Sequence, residues 1–108
     1  MKYIRTKGGI YEVGELVETR SAILDKLHIK YYLKQNIIAQ ADTIEELCDE
    51  FVVAFEENND KITYLDLDWA IDKAKRYAGH TTIYGAVWCE WGLKYVAKMN
   101  NKGELVLI

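Results

Sequence analysis

The chain has 108 residues, of which 50% are apolar, 29% charged and 12% aromatic. That is enough to bury one core and too little for two domains of ordinary size, so disorder is disfavoured and a single domain over residues 1–108 is expected. There is no run of about 18 apolar residues and no signal peptide at Met1-Lys2-Tyr3-Ile4-Arg5-Thr6-Lys7, so a cytoplasmic protein without a membrane partner is expected.

Tyr3 and Arg5 alternate with Ile4 and Thr6, Lys7-Gly8-Gly9 supplies turn residues, and Ile10-Tyr11-Glu12-Val13 resumes the alternation. This predicts a β-hairpin with a three-residue loop. Gly14 suits a bulge before Glu15-Leu16-Val17-Glu18, and Ala22 to Leu33 holds β-favouring runs for one or two further strands.

At Thr43-Ile44-Glu45-Glu46 the pattern becomes a capping box, and Ile44, Leu47, Cys48 and Phe51 follow at helical spacing. A helix is predicted there, then a buried strand over Val52 to Phe55. A second helix is predicted from about Asp66 to Ala78, with Leu67, Ala70, Ile71, Ala74, Tyr77 and Ala78 inward and Gly79 as a left-handed C-cap. Asp66 and Asp68 suit its positive end, Lys73, Lys75 and Arg76 its negative end, and Asp72 is placed to pair with Arg76. Trp69 falls off the apolar stripe, at a rim or exposed. Ile83 to Cys89, Leu93 to Met99 and Glu104 to Ile108 read as a three-stranded meander, with three-residue loops at Glu90-Trp91-Gly92 and Asn101-Lys102-Gly103. The expected fold is α+β: an antiparallel sheet, built from the N-terminal hairpin and the meander and open or curled toward a barrel, with two helices.

Charge is uneven along the chain. Residues 1–41 carry a net +3 and residues 73–108 a net +4, whereas residues 42–72 carry −10. Two readings stand for that acidic segment. One is a solvated face; the other is a surface that docks a basic partner by offering carboxylates where the partner expects phosphates. The residues concerned are Glu45, Glu46, Asp49, Glu50, Glu56, Glu57, Asp60, Asp66 and Asp68, with Trp69 beside them. Direct nucleic-acid binding is not expected, because carboxylates repel phosphates and the basic residues form no cluster. Trp91 at a hairpin tip reads as a contact anchor or as edge packing. Tyr84 and Trp88 share a strand face, as core or as a stacking platform.

Three stretches carry a resemblance. Met1 to Val13, Ala41 to Val53, and Ile83 to Trp88 with Gly92 to Asn100 and Lys102 to Leu105 together resemble small proteins of Gram-positive phages and prophages that have no assigned activity. The resemblance covers about half the chain and implies origin more than chemistry; it brings no catalytic residue. Cys89-Glu90-Trp91-Gly92 departs from the polar, Lys-containing turn the resemblance leads one to expect.

His28 and His80 lie far apart without HExxH or CxxC, Ser21 is the only serine, and no phosphate-cradling glycine loop occurs. Cys48 and Cys89 read as buried thiols ahead of a disulfide or metal pair. No catalytic residue, metal or cofactor is therefore assigned. The leading expectation is a phage or prophage accessory protein that binds stoichiometrically and inhibits a host defence factor, the partner being a host or phage protein such as a basic nucleic-acid-binding one. The alternatives are a homo-oligomer that sequesters a small ligand or nucleotide in an aromatic pocket with Lys94 or Arg76, and a plain structural binding module.

Overall fold

The structure, a computed structural model, describes residues 2–108; Met1, the first residue of the predicted hairpin, lies outside them. Half of the residues are in strands and 15% are helical, arranged as three sheets and one α-helix. This corrects the expected α+β fold with two helices. The chain divides into two compact units, one ending at Leu47 and one running from Cys48 to Ile108.

The first unit contains β1 (Tyr3–Thr6), β2 (Gly9–Glu12), β3 (Leu16–Glu18), β4 (Ala22–Asp25), β5 (Lys30–Leu33) and β6 (Ile37–Ala41). They form two antiparallel sheets, ordered β2-β1-β6 and β3-β4-β5. Thr6 pairs with Gly9, so the first hairpin turns on Lys7-Gly8 rather than on a three-residue loop. Ile4, Val13 and Ile23 are buried together, and Leu16, Tyr32 and Ile37 pack against them. Full burial stabilises such a side chain by about 1.5–3 kcal/mol.

The predicted helix at Thr43 is a single 3-10 turn, Glu45–Leu47. One half of the capping box forms, Glu46 N–H donating to Thr43 Oγ1 at 3.4 Å, while the Glu46 carboxylate accepts from the Thr43 hydroxyl at 3.1 Å. What stops the helix is the sequence that follows. Phe51-Val52-Val53-Ala54-Phe55 is aromatic and β-branched, loses rotamer freedom in a helix, and is taken up by a strand. A helix ending before that run would be too short to stand alone.

The second unit contains β7 (Glu50–Phe55), β8 (Lys61–Tyr64), α1 (Leu67–Arg76), β9 (Thr81–Cys89), β10 (Gly92–Met99) and β11 (Leu105–Leu107). They build one antiparallel sheet ordered β11-β10-β9-β7-β8. Leu67 and Ala70 of α1 are buried with Phe51, Val53, Phe55 and Ile83, and Ile71, Ala74 and Tyr77 pack at the margin; Ala78, also predicted inward, is exposed. The helix ends on Tyr77 in extended conformation, φ −89°, so Gly79 is not the left-handed cap. Gly79 is tied instead to close approach, because a Cβ there would lie 2.5 Å from Glu57 Oε1 and 2.7 Å from Tyr77 Cε1. In the meander, Cys89 pairs with Gly92, leaving Glu90-Trp91 as a two-residue turn, whereas Gly103 at φ 80° closes the longer Asn100–Glu104 turn.

Candidate functional site

The register of the β7–β8 hairpin decides where the acidic residues of the second unit lie. Phe51 faces Tyr64 and Ala54 faces Lys61, so Asp49, Glu50, Asp66 and Asp68 lie toward one end of the sheet. Glu56, Glu57 and Asp60 occupy the β7–β8 turn at the other. β9 pairs Ala86 with Glu50 and Thr81 with Phe55, so Trp88 and the Trp91 turn extend toward the first end. The N-terminus of α1, and Trp69 with it, follows β8 there.

The carboxylates at this end have different tasks. Asp66 caps α1: it is extended at φ −123° and its Oδ1 accepts from Asp68 N at 2.8 Å, satisfying one of the donors a helix start leaves open. Asp49 is a bracket in the sheet. Its backbone N–H donates to Ala86 O at 2.9 Å and its Oδ2 accepts from Trp88 N at 2.8 Å. Glu50 is half-buried on β7. Asp68 is exposed on the first turn of the helix, and Asp72 pairs with Arg76 at 3.2 Å.

The apolar side chains here are the more unusual feature. Trp69 is 70% exposed and Trp91 93%. Trp88 and Leu65 are exposed too, Trp88 on the face of β9 opposite to Ile83 and α1; large apolar groups left in water mark candidate contacts. Leu65 escaped the sequence reading, although its place just before the capping Asp66 is a recognisable one. A residue there often packs back onto the helix as a hydrophobic staple, and this one stays in solvent.

At the opposite end the acidic turn is bound into the fold. Glu56 Oε1 accepts from Thr82 Oγ1 and Glu57 Oε2 from the Tyr77 hydroxyl, each at 3.3 Å. Desolvation, reinforced by Glu57 and Asp60, raises the Tyr77 hydroxyl above its ordinary pKa. Glu45 and Glu46, on their 3-10 turn, belong to the first unit. The acidic run that is continuous in sequence is thus distributed over several places.

Tyr84 stacks on Tyr95, centroids 4.9 Å apart and planes 23° apart, with Lys61 Nζ 5.3 Å from the Tyr95 ring. Cys48 and Cys89 are half-buried thiols, not a disulfide. A groove of about 720 Å3 beside α1 is lined by Ile71, Ala74, Ile83 and Met99 among others; it contains no aromatic side chain and neither Lys94 nor Arg76. Among the described residues no helix is long and apolar enough to cross a membrane.

Fold and site together define a mostly β protein whose second unit presents exposed tryptophans and carboxylates at one end of its sheet. No protein-family model, curated protein or solved structure matches the chain.

Proposed function

We propose that the chain is a phage-type accessory protein that acts by stoichiometric binding, covering a basic surface of a host defence factor that handles nucleic acid. The observation that carries this reading is the exposure of Trp69 on α1 and Trp91 in the β9–β10 turn, with Asp66 and Asp68, toward one end of the sheet. Exposed tryptophans supply the desolvated anchors that dominate protein interfaces. Carboxylates around them steer a basic partner and stand in for the phosphates it binds. The phage origin and the defence target rest on the sequence resemblance and on the habits of small phage proteins.

The test is capture from a Gram-positive host lysate by tagged wild type and by Trp69→Ala/Trp91→Ala, across a salt series. A partner held by wild type, weakened about thirtyfold or more in the double variant and released as salt rises, is the expected result. Retention of the same partner by both proteins at every salt concentration would remove this end of the sheet from the function.

A further inference from the structure

The connection between β4 and β5, Lys26-Leu27-His28-Ile29, breaks two rules at once. Ile29 holds φ 51°, the left-handed region that a β-branched side chain resists and that glycine or asparagine accepts readily. It is also 87% exposed, with Leu27 at 69% and Tyr31 at 59%. Ile29 therefore returns almost no burial to the fold in exchange for its backbone.

The turn that presents these side chains is rigidly held. The Asp25 carboxylate beneath it is fully buried. Its Oδ1 accepts from Leu27 N at 3.1 Å and His28 N at 3.4 Å, while Oδ2 accepts from Gly14 N at 3.2 Å and meets His28 Nδ1 at 2.7 Å. Gly14 lies directly against Leu27, since a Cβ there would come within 2.6 Å of Leu27 Cδ2. Lys26 N–H is fixed on Glu15 O at 2.8 Å. A strained residue persists only where its surroundings over-determine it, and a local rule broken without internal gain points to a gain outside the chain.

The chemistry of the surroundings indicates what is touched. Lys26 and Lys30 flank the apolar tip and form no ion pair among the described residues; Lys30 Nζ lies 5.9 Å from the Tyr11 ring. His28 stands between them with its side chain 42% exposed. Glu15 brings one carboxylate to the neighbouring segment, and that of Asp25 is buried and saturated. An aliphatic tip with an ammonium on either side and Tyr31 behind it matches an anionic lipid surface. Apolar groups sink below the headgroups, cations meet phosphates, and tyrosine takes the interface.

We propose that Leu27 and Ile29 form a peripheral membrane-contact tip, seated in the headgroup–acyl boundary of an anionic bilayer with Lys26 and Lys30 on its phosphates. Such contact needs neither a long apolar run nor a signal peptide. It is independent of the tryptophan end of the second unit.

The experiment is sedimentation of the full chain with vesicles of phosphatidylcholine alone and of phosphatidylcholine containing about one third phosphatidylglycerol. Binding to the anionic vesicles only, relieved by salt, is expected. Ile29→Asn should weaken it about tenfold or more, and Lys26→Glu/Lys30→Glu should abolish it, while Trp69→Ala/Trp91→Ala should leave it unchanged. Asparagine suits the left-handed backbone, so an unchanged or higher melting temperature separates lost contact from lost fold. Ile29→Trp gives a direct readout, a blue-shifted additional emission on anionic vesicles. No sedimentation at millimolar lipid, or equal binding by Ile29→Asn, overturns the proposal. So does a self-association that Ile29→Asn removes while vesicles stay unbound, since the tip would then meet a second copy of the chain.

Discussion

Replacing Ile29 with asparagine should raise the stability of the first unit by about 1 kcal/mol. The left-handed conformation costs an ordinary L-residue about 1–2 kcal/mol, and a β-branched side chain is among the worst suited to it. Asparagine relieves much of that cost. Little is lost in return: full burial of isoleucine is worth about 2 kcal/mol, and with 87% of Ile29 already in water only a few tenths of that is in play. For a small unit the net gain corresponds to a rise of about 4 °C or more in melting temperature. Ile29→Val is the control, because valine keeps the branched Cβ and should change stability by less than about 0.5 kcal/mol. The assay must read the right unit. All three tryptophans lie in the second one, so indole emission follows that unit, and amide hydrogen exchange of β4 and β5 reports on the first. A fall in β4–β5 protection in Ile29→Asn, with Ile29→Val unchanged, would refute the reasoning by showing that the isoleucine side chain contributes to the fold.

Two further outcomes follow from buried groups. Gly85→Ala should cost the second unit about 1–3 kcal/mol, because its Cβ would lie 2.7 Å from Cys48 Sγ and 3.4 Å from Ala97 Cβ; adding Cys48→Ala should recover most of the loss in a double-mutant cycle followed by urea unfolding, and strict additivity would show that the clash is with something else. The first unit should weaken in acid. Burial pushes the Asp25 carboxyl up, but the His28 ring and the N–H groups of Gly14 and His28 outweigh it and hold it below its usual range. A depressed carboxyl stabilises the fold above its unfolded pKa of about 4, and that stability is lost as pH falls through the lower folded value. Amide exchange of Gly14 and Leu27, corrected for the intrinsic rate, should accelerate below about pH 4; protection that stays flat down to pH 2 in wild type, or that falls equally in Asp25→Asn, would contradict it.

The parts of this fold legible in the sequence are those where a local rule meets no rival. Asp66 caps and Leu67, Ala70, Ile71 and Ala74 repeat at helical spacing, and the helix lies at Leu67–Arg76. The capping box at Thr43 was equally well formed, yet it competed with a β-branched run that belongs to the centre of a sheet. Local propensity cannot show that Phe51 and Val53 will be wanted by Tyr64 and Ile83. The same limit governed the site. Trp69 fell off its stripe and Trp91 sat in a turn, which left each either exposed or packed at an edge, and the structure has both exposed. The separation of Asp66 and Asp68 from Glu56, Glu57 and Asp60 was not, because the β7–β8 register decides which acidic residues share an end. Asp25 and Ile29 gave no warning, since backbone handedness at one position leaves no mark on hydrophobic periodicity.

The β1–β6 pairing sets Tyr3 across from Ala41, so the first and last strands of the first unit run side by side, with Asp42 to Leu47 still to follow. A segment whose first and last strands are neighbours can be spliced into a loop of another protein with little distance for the host backbone to span. β1 is also the middle strand of its sheet. Trimming a few residues at that end would therefore remove a centre and not a fringe, and a graft of this unit has to begin no later than Tyr3.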